Sequence, residues 1–213
     1  MRQKSRIFLI RHLATKLNDR QIIMGKKINA NILNDKRADM FLKNIIKLSE
    51  SYSFNQENSV FISSPLARCR QTISLLRQGA LRINKKIEVL EEFIETDMGH
   101  FSGKSVAEIR KEYGSNIDDW MFRPEDYTFP GGESYVEVKK RTKLGVKKLI
   151  TNYSDYKNIF VSTHVDIIKM ILSNVLGFPF NQRRRLNITN GSISLLSLLD
   201  NLSLRVEAIN LLS

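Results

Sequence analysis

The stretch Arg6-Ile7-Phe8-Leu9-Ile10-Arg11-His12 decides the fold class of this chain. The four successive aliphatic and aromatic residues from Ile7 to Ile10 predict a buried strand. That strand ends in an arginine and a histidine, which places both at the carboxyl edge of a sheet, where open α/β sheets hold ligands. Arginine is a bidentate donor suited to phosphate, and histidine acts as nucleophile, acid or base near neutral pH.

Two further apolar runs end in similar groups. Residues 158–163 form a second β-branched run that leads directly to His164, so two of the three histidines end predicted core strands. Residues 59–63 form a third run, and Pro65 then begins a helix that carries Arg68 in its first turn. The three strand ends converge on two histidines and two arginines. This set predicts a phosphate pocket rather than a metal site.

Strands and helices alternate along most of the chain. Strands are predicted near residues 6–11, 59–63, 86–90 and 157–163, with helical stripes over 41–52 and 138–153 between them. This order predicts an α/β fold, a three-layer αβα sandwich with a mainly parallel central sheet and helices on both faces. The apolar runs on either side of Asp200-Asn201 predict a C-terminal hairpin.

Length and composition predict one globular domain over residues 1–213. Aromatic, proline and glycine residues near 104–132 predict a lid or insertion over the site. No apolar run approaches a membrane span, and a strand within five residues of the N-terminus leaves no room for a signal peptide. The single cysteine, Cys69, excludes an internal disulfide, and it fits a core position and a cytoplasmic location.

A formal net charge of +12 raises the possibility of nucleic-acid binding. The lysines and arginines are scattered along the whole chain, however, and no nucleic-acid-binding signature accompanies them. A positive field of this kind also draws small anionic substrates into a cleft. We therefore predict a small phosphorylated molecule as partner, with no nucleic acid and no membrane, and the oligomeric state stays open.

Five motifs occur in the same order as in one known family, which the chain resembles: the histidine phosphatase superfamily, in its phosphoglycerate-mutase-like branch. They are Arg11-His12-Leu13-Ala14-Thr15 with Asn18, Ser63-Ser64-Pro65-Leu66-Ala67-Arg68-Cys69-Arg70-Gln71-Thr72, Glu95 with Gly99 and Gly103, Pro130-Gly131-Gly132-Glu133-Ser134, and Val161-Ser162-Thr163-His164. Each motif is modest alone, but five in register over about residues 6–195 form a specific match.

The resemblance implies a catalytic set of His12, Glu95 and His164. His12 would be the nucleophile that forms a phosphohistidine. Glu95 would protonate the leaving oxygen and then activate water. The resemblance implies neither a metal ion nor a cofactor.

The resemblance also implies a phosphate-binding set of Arg11, Arg68, His164 and Asn18. The two arginines and His164 would hold the phosphate oxygens. For Asn18, a role as an extra donor and a role in helix capping are both open.

Two residues depart from the family pattern. Leu13 stands where the family has glycine, and Asp166 stands where small residues are usual after the second histidine. We expect Leu13 to pack away from the pocket and the Asp166 carboxylate to cap the helix that follows.

Three functions are compatible with these motifs. The leading one is a metal-independent phosphatase of small phosphomonoesters. The second is a cofactor-dependent phosphoglycerate mutase, which uses the same phosphohistidine. The intact Pro-Gly-Gly-Glu-Ser motif and the 26 residues between Gly103 and Pro130 favour the phosphatase. The third is a catalytically inactive phosphate-binding or interaction module of the same fold.

Overall fold

The computed structural model describes residues 2–114 and 126–211. Within them one sheet contains the strands β1 (Gln3–Arg11), β2 (Ser59–Ser63), β3 (Ile87–Val89), β4 (Asn158–Thr163), β5 (Ile193–Leu199) and β6 (Leu204–Leu211). The strand order is β3-β2-β4-β1-β5-β6. The first four strands pair in parallel, and β5 and β6 add an antiparallel edge. The mainly parallel sheet and the C-terminal hairpin are therefore confirmed.

The helices are α1 (Lys16–Asp19), α2 (Lys36–Tyr52), α3 (Ala67–Ser74), α4 (Val106–Tyr113), α5 (Tyr135–Tyr153) and α6 (Val165–Leu176). A π-helical turn extends α3 over Leu75–Ala80, and 3₁₀ turns occur at Glu91–Phe93, Gly99–Phe101 and Phe180–Arg185. Capping boxes begin α4 at Ser105 and α5 at Ser134, because each serine hydroxyl accepts from a backbone N–H three residues on. No helix in the described ranges is long and apolar enough to cross a membrane.

Alternate residues of β1 face the two sides of the sheet. Ile7 and Leu9 belong to a core cluster shared with α5 and α6. Phe8 and Ile10 belong to a second cluster shared with α2 and α3. Because side chains alternate along a strand, a continuous apolar run can only be buried when helices cover both faces. The αβα arrangement is thus confirmed.

The parallel register brings the strand ends to one edge of the sheet. Arg11 at the end of β1 lies beside Thr163 at the end of β4, and the His12 N–H donates to the Thr163 carbonyl at 3.0 Å. On the other side of β4, the Ser64 N–H donates to the Ser162 carbonyl at 2.9 Å. The residues that follow β1, β2 and β4 therefore meet at this edge.

The stretch predicted as a lid, residues 104–132, contains a helix in its first part, because α4 occupies Val106–Tyr113. Residues 126–132 form a loop with an isolated bridge between Thr128 and Ser134. Residues 115–125, including Trp120, lie outside the described residues. Coverage of the site by this stretch stays a prediction.

Candidate active site

A cavity of about 180 Å³ lies at the carboxyl edge of the sheet. Its polar and charged lining comes from five of the six predicted site residues. The full lining is Arg11, His12, Asn18, Ile22, Ile23, Met24, Gly25, Arg68, Glu95, Met98 and Val165. The sixth predicted residue, His164, is completely buried behind this lining, and its ring centroid lies 5.3 Å from that of His12.

His12 follows β1 directly and is 3% exposed. Its Nδ1 lies 2.7 Å from the Leu13 carbonyl oxygen. A carbonyl only accepts, so we assign the ring proton to Nδ1, which leaves a lone pair on Nε2. Burial lowers the pKa of His12 well below its ordinary value, and the positive charge of Arg68 lowers it further. The ring is therefore neutral at pH 7, as a nucleophile requires.

His164 is the residue immediately before α6, in extended backbone conformation. Its Nε2 lies 2.7 Å from the Ser64 hydroxyl and 3.3 Å from the sulfur of Cys69. Burial lowers its pKa well below the ordinary value, with Arg68 and His12 as further causes. Cys69 is buried, as predicted, and burial raises the pKa of its thiol to about 12. It is therefore a neutral packing group.

Both arginines use part of the guanidinium group to bind backbone carbonyls. Arg11 Nη1 donates to Ile188 O at 2.5 Å. Arg68 donates to Ile28 O at 2.8 Å and to Gly25 O at 2.9 Å. The Nε atoms of both arginines are buried and have no hydrogen-bond partner among the described residues. Arg77, outside the cavity, shares this feature, so it is the position of Arg11 and Arg68 in the cavity lining that makes them suited to bind an anion.

Glu95 follows the turn after β3 and is 5% exposed. One carboxyl oxygen accepts from the Thr96 N–H at 3.0 Å. Burial raises the pKa of Glu95 to about 7, and the nearby charge of Asp166 contributes in the same direction. A large fraction of this carboxyl group is therefore protonated at neutral pH, which is the state of a general acid.

The loop that carries Glu95 is held by a partly buried ion pair that the sequence did not reveal. Arg141 on α5 donates to the carbonyls of Ile94 at 2.6 Å and Glu95 at 3.2 Å. It also pairs with Glu133 at 2.9 Å, and the other Glu133 oxygen accepts from the Asp97 N–H at 2.8 Å. Glu133 of the Pro-Gly-Gly-Glu-Ser motif thus helps to fix the position of the loop that carries Glu95.

The structure places Asn18 at a helix cap and in the cavity lining, and its role as an extra donor stays a prediction. Its Oδ1 accepts from the Thr15 N–H at 3.0 Å and completes the capping box of α1. The same side chain is half-buried and lines the cavity. Capping fixes its orientation toward the cavity.

The predicted helix-capping role of Asp166 is wrong. His164 occupies the N-cap position, so Asp166 is the second residue of α6. Its carboxylate accepts from side chains instead, from Thr96 Oγ1 at 3.5 Å and from the Tyr135 hydroxyl at 3.4 Å. Asp166 therefore lies next to the Glu95 loop, where its charge favours the protonated carboxyl.

Leu13 packs away from the cavity, as predicted. It is 2% exposed and belongs to the core cluster of Phe8, Ile10 and Phe41. A Cβ built on Gly191 would lie only 3.0 Å from Leu13 Cδ2. The absence of a side chain at position 191 therefore provides the space for Leu13.

The segment 22–25 forms a wall of the cavity that the sequence did not predict. It is held by backbone hydrogen bonds from Ile23 N to Lys104 O at 2.9 Å and from Lys26 N to Thr96 O at 3.0 Å. No described residue of 104–132 lines the cavity. The segment lacks hydrophobic periodicity, so its position depends on these long-range contacts.

No group of three or more metal-ligating side chains occurs in the described part of the chain. A larger groove of about 440 Å³ lies between α5, α6 and β6. It is lined by lysines and aliphatic residues and shares no residue with the site cavity. Five of the six predicted site residues therefore line the smaller cavity and none lines the larger groove.

We expect Arg68→Lys to lower kcat/KM for a phosphomonoester about 10²-fold, the usual cost of removing one donor from an oxyanion site. Lysine keeps the charge but cannot fork onto two oxygens or hold Gly25 and Ile28 together. The matched control is Arg77→Lys, because Arg77 is also buried with an unpartnered Nε but lies outside the cavity. Near-normal kinetics for Arg68→Lys would exclude Arg68 from phosphate binding.

The chain is thus an αβα sandwich with a polar pocket at the carboxyl edge of its parallel strands. Two histidines, two arginines and a buried carboxyl group meet at that edge. The family model of the histidine phosphatase superfamily (branch 1) matches residues 7–210. The chain belongs to this superfamily, and the resemblance carried by its motifs is confirmed.

Individual relatives are distant. The bifunctional protein Rv2228c of Mycobacterium tuberculosis is 29% identical over 134 residues, which are 63% of this chain and 35% of that protein. This chain thus matches about a third of that relative's length. Bacillus stearothermophilus YhfR superposes with a TM-score of 0.82 at 21% identity, over 96% of both chains. Mycobacterial glucosyl-3-phosphoglycerate phosphatase Rv2419c, solved with VO3, has a TM-score of 0.80 at 20% identity, over 97% of this chain and 98% of that one.

Proposed function

We propose that the protein is a metal-independent phosphomonoesterase that works through a phosphohistidine on His12. The observation that carries this proposal is the common cavity of three kinds of group. They are a neutral histidine with a free Nε2, two arginines and a carboxyl group with a pKa of about 7. Phosphoryl transfer through an enzyme nucleophile needs these three functions.

In the first half-reaction, the Nε2 lone pair of His12 attacks phosphorus and the bond to the ester oxygen breaks. Glu95 gives its proton to that oxygen, so the product leaves as a neutral alcohol. Arg11 and Arg68 neutralise the charge on the transferring group. His164 packs edge-on against the His12 ring, with 5.3 Å between the ring centroids, and holds that ring from behind the cavity lining. Its contact with phosphate stays a prediction.

In the second half-reaction, the Glu95 carboxylate takes a proton from a water molecule, which attacks the phosphohistidine. The bond between phosphorus and nitrogen breaks, inorganic phosphate leaves, and Glu95 again holds the proton. A pKa near 7 suits a group that must act once as acid and once as base at neutral pH.

We expect hydrolysis of p-nitrophenyl phosphate to continue in excess EDTA, because no step uses a metal ion. Vanadate should inhibit, since it copies the five-coordinate transition state and such analogues bind more tightly than substrates. The VO3 complex of the mycobacterial phosphatase of the same fold supports this choice of inhibitor. Loss of activity on chelation, with recovery on adding a divalent ion, would overturn the metal-independent mechanism.

The two other functions give different results in one assay with labelled phosphate. A mutase would transfer label between two positions of a phosphoglycerate and release little inorganic phosphate. An inactive binding module would bind phosphate but form no phosphohistidine. The phosphatase should release stoichiometric inorganic phosphate from its substrate.

A further inference from the structure

We propose that the substrate is the phosphate ester of a small hydrocarbon alcohol, aliphatic or aromatic, with no second charged group. This inference rests on the proposed function and concerns the part of the cavity that receives the leaving group. Three properties of the cavity support it: the chemistry of its wall, the charges around it and its size.

The wall of the cavity is apolar apart from the side chains assigned to phosphoryl transfer. The polar side chains that line it are Arg11, His12, Asn18, Arg68 and Glu95, which hold or transfer the phosphoryl group. The rest of the lining is Ile22, Ile23, Met24, Gly25, Met98 and Val165. Among the described residues, the alcohol therefore meets hydrocarbon and thioether surface, which favours an apolar leaving group.

No described lysine lines the cavity, and Lys26, Lys27 and Lys104 are paired with acidic residues. Lys26 and Lys27 lie 3.6 and 3.5 Å from the Asp97 carboxylate, and Lys27 also donates to the Gly131 carbonyl. Lys104 pairs with Glu112. The cations that line the cavity are Arg11 and Arg68, which the phosphoryl group occupies. A second anionic group on the substrate would thus find no further counter-ion in the lining among the described residues.

Glu95 makes a second negative charge still less favourable. Its deprotonated form, needed for the second half-reaction, would face that charge in a nearly buried space. Burying an unpaired carboxylate is costly, since neither water nor a cation compensates for the lost hydration. Phosphoglycerates and phosphoserine each carry such a carboxylate, so the cavity disfavours them.

The cavity also limits the size of the alcohol. Its volume of about 180 Å³ must hold the phosphoryl group and the leaving group together. Pockets for drug-sized ligands occupy about 300–1,000 Å³. A short alkyl chain or one ring fits this space, whereas a nucleoside does not.

The test compares two pairs of esters that differ by one carboxylate: butyl phosphate with the phosphate of 4-hydroxybutanoate, and phenyl phosphate with 4-carboxyphenyl phosphate. We expect kcat/KM to favour the uncharged member by at least about 10²-fold, the discrimination that apolar pockets achieve against an added hydroxyl. Equal values within a pair, or preference for the carboxylate, would overturn the inference.

A designed variant tests the same point in the opposite direction. Ile22 lines the cavity and is half-buried, yet it is not part of either core cluster, so a longer side chain is tolerated there. Ile22→Lys should raise the relative kcat/KM for the carboxylate esters at least about 10-fold, since it supplies the missing counter-ion. Ile22→Gln and the surface variant Leu144→Lys should leave the ratio unchanged, because neither puts a cation in the cavity. An unchanged ratio in Ile22→Lys would contradict the inference.

Calorimetry on the four esters with the His12→Ala protein separates this inference from the proposed function. That protein cannot form a phosphohistidine, so the Kd values report the cavity alone. Tighter binding of the uncharged esters would support the apolar subsite. If the wild-type protein then hydrolysed none of the esters, the absence of hydrolysis would refute the phosphatase and leave the subsite standing. Kd ratios near one would refute the subsite even if hydrolysis is fast.

Discussion

His12→Ala is expected to abolish both turnover and the phosphoenzyme. The variant has no nitrogen at the position of Nε2, and the neighbouring His164 is completely buried against Ser64 and Cys69. Its ring therefore cannot take over the attack on phosphorus. Rapid acid-free quenching with labelled substrate, followed by detection of phosphohistidine, measures the intermediate directly.

The control is His100→Ala, because His100 is the third histidine and is exposed outside the cavity. It should keep wild-type kinetics and a wild-type level of phosphoenzyme. Circular dichroism of both variants checks that the fold is intact. Residual turnover of His12→Ala within about 10-fold of wild type would show that another group is the nucleophile.

Glu95→Gln is expected to lower kcat/KM by about 10²–10⁴-fold for alkyl phosphates, the usual contribution of general acid catalysis. The loss should be much smaller for p-nitrophenyl phosphate, whose leaving oxygen needs little protonation. An equal loss for both leaving groups would show that Glu95 is not the acid. Glu91→Gln is the control, since Glu91 is exposed on the turn that precedes Glu95.

The raised pKa of Glu95 predicts the sign of the pH dependence. The Glu95 carboxyl group is mostly protonated below about pH 7 and loses its proton as the pH rises through that value. The kcat/KM of the wild type for alkyl phosphates should therefore fall above about pH 7, because this parameter reports the free enzyme. The alkaline limb should disappear in Glu95→Gln. A limb that persists in the variant would assign the titration to another group.

Local sequence determined the elements and much of the site. The apolar run of β1 is buried on both faces, so it forces helices onto both sides of the sheet. The residues that follow β1, β2 and β4 must meet at one edge because parallel strands end there together. For this reason the positions of His12, Arg68 and His164 follow from the order of residues alone. The caps of α1 and α5 are equally local.

Tertiary structure decided everything that depends on long-range contact. The 22–25 wall, the hydrogen bonds of Arg141 to the Glu95 loop and the side-chain partners of Asp166 join segments far apart in the chain, so no periodicity marks them. The pKa of Glu95 is also of this kind, because burial and a neighbouring charge set it and a sequence records neither. The order of residues thus specifies which chemical groups reach the sheet edge. Packing around that edge specifies their protonation and the apolar part of the cavity lining.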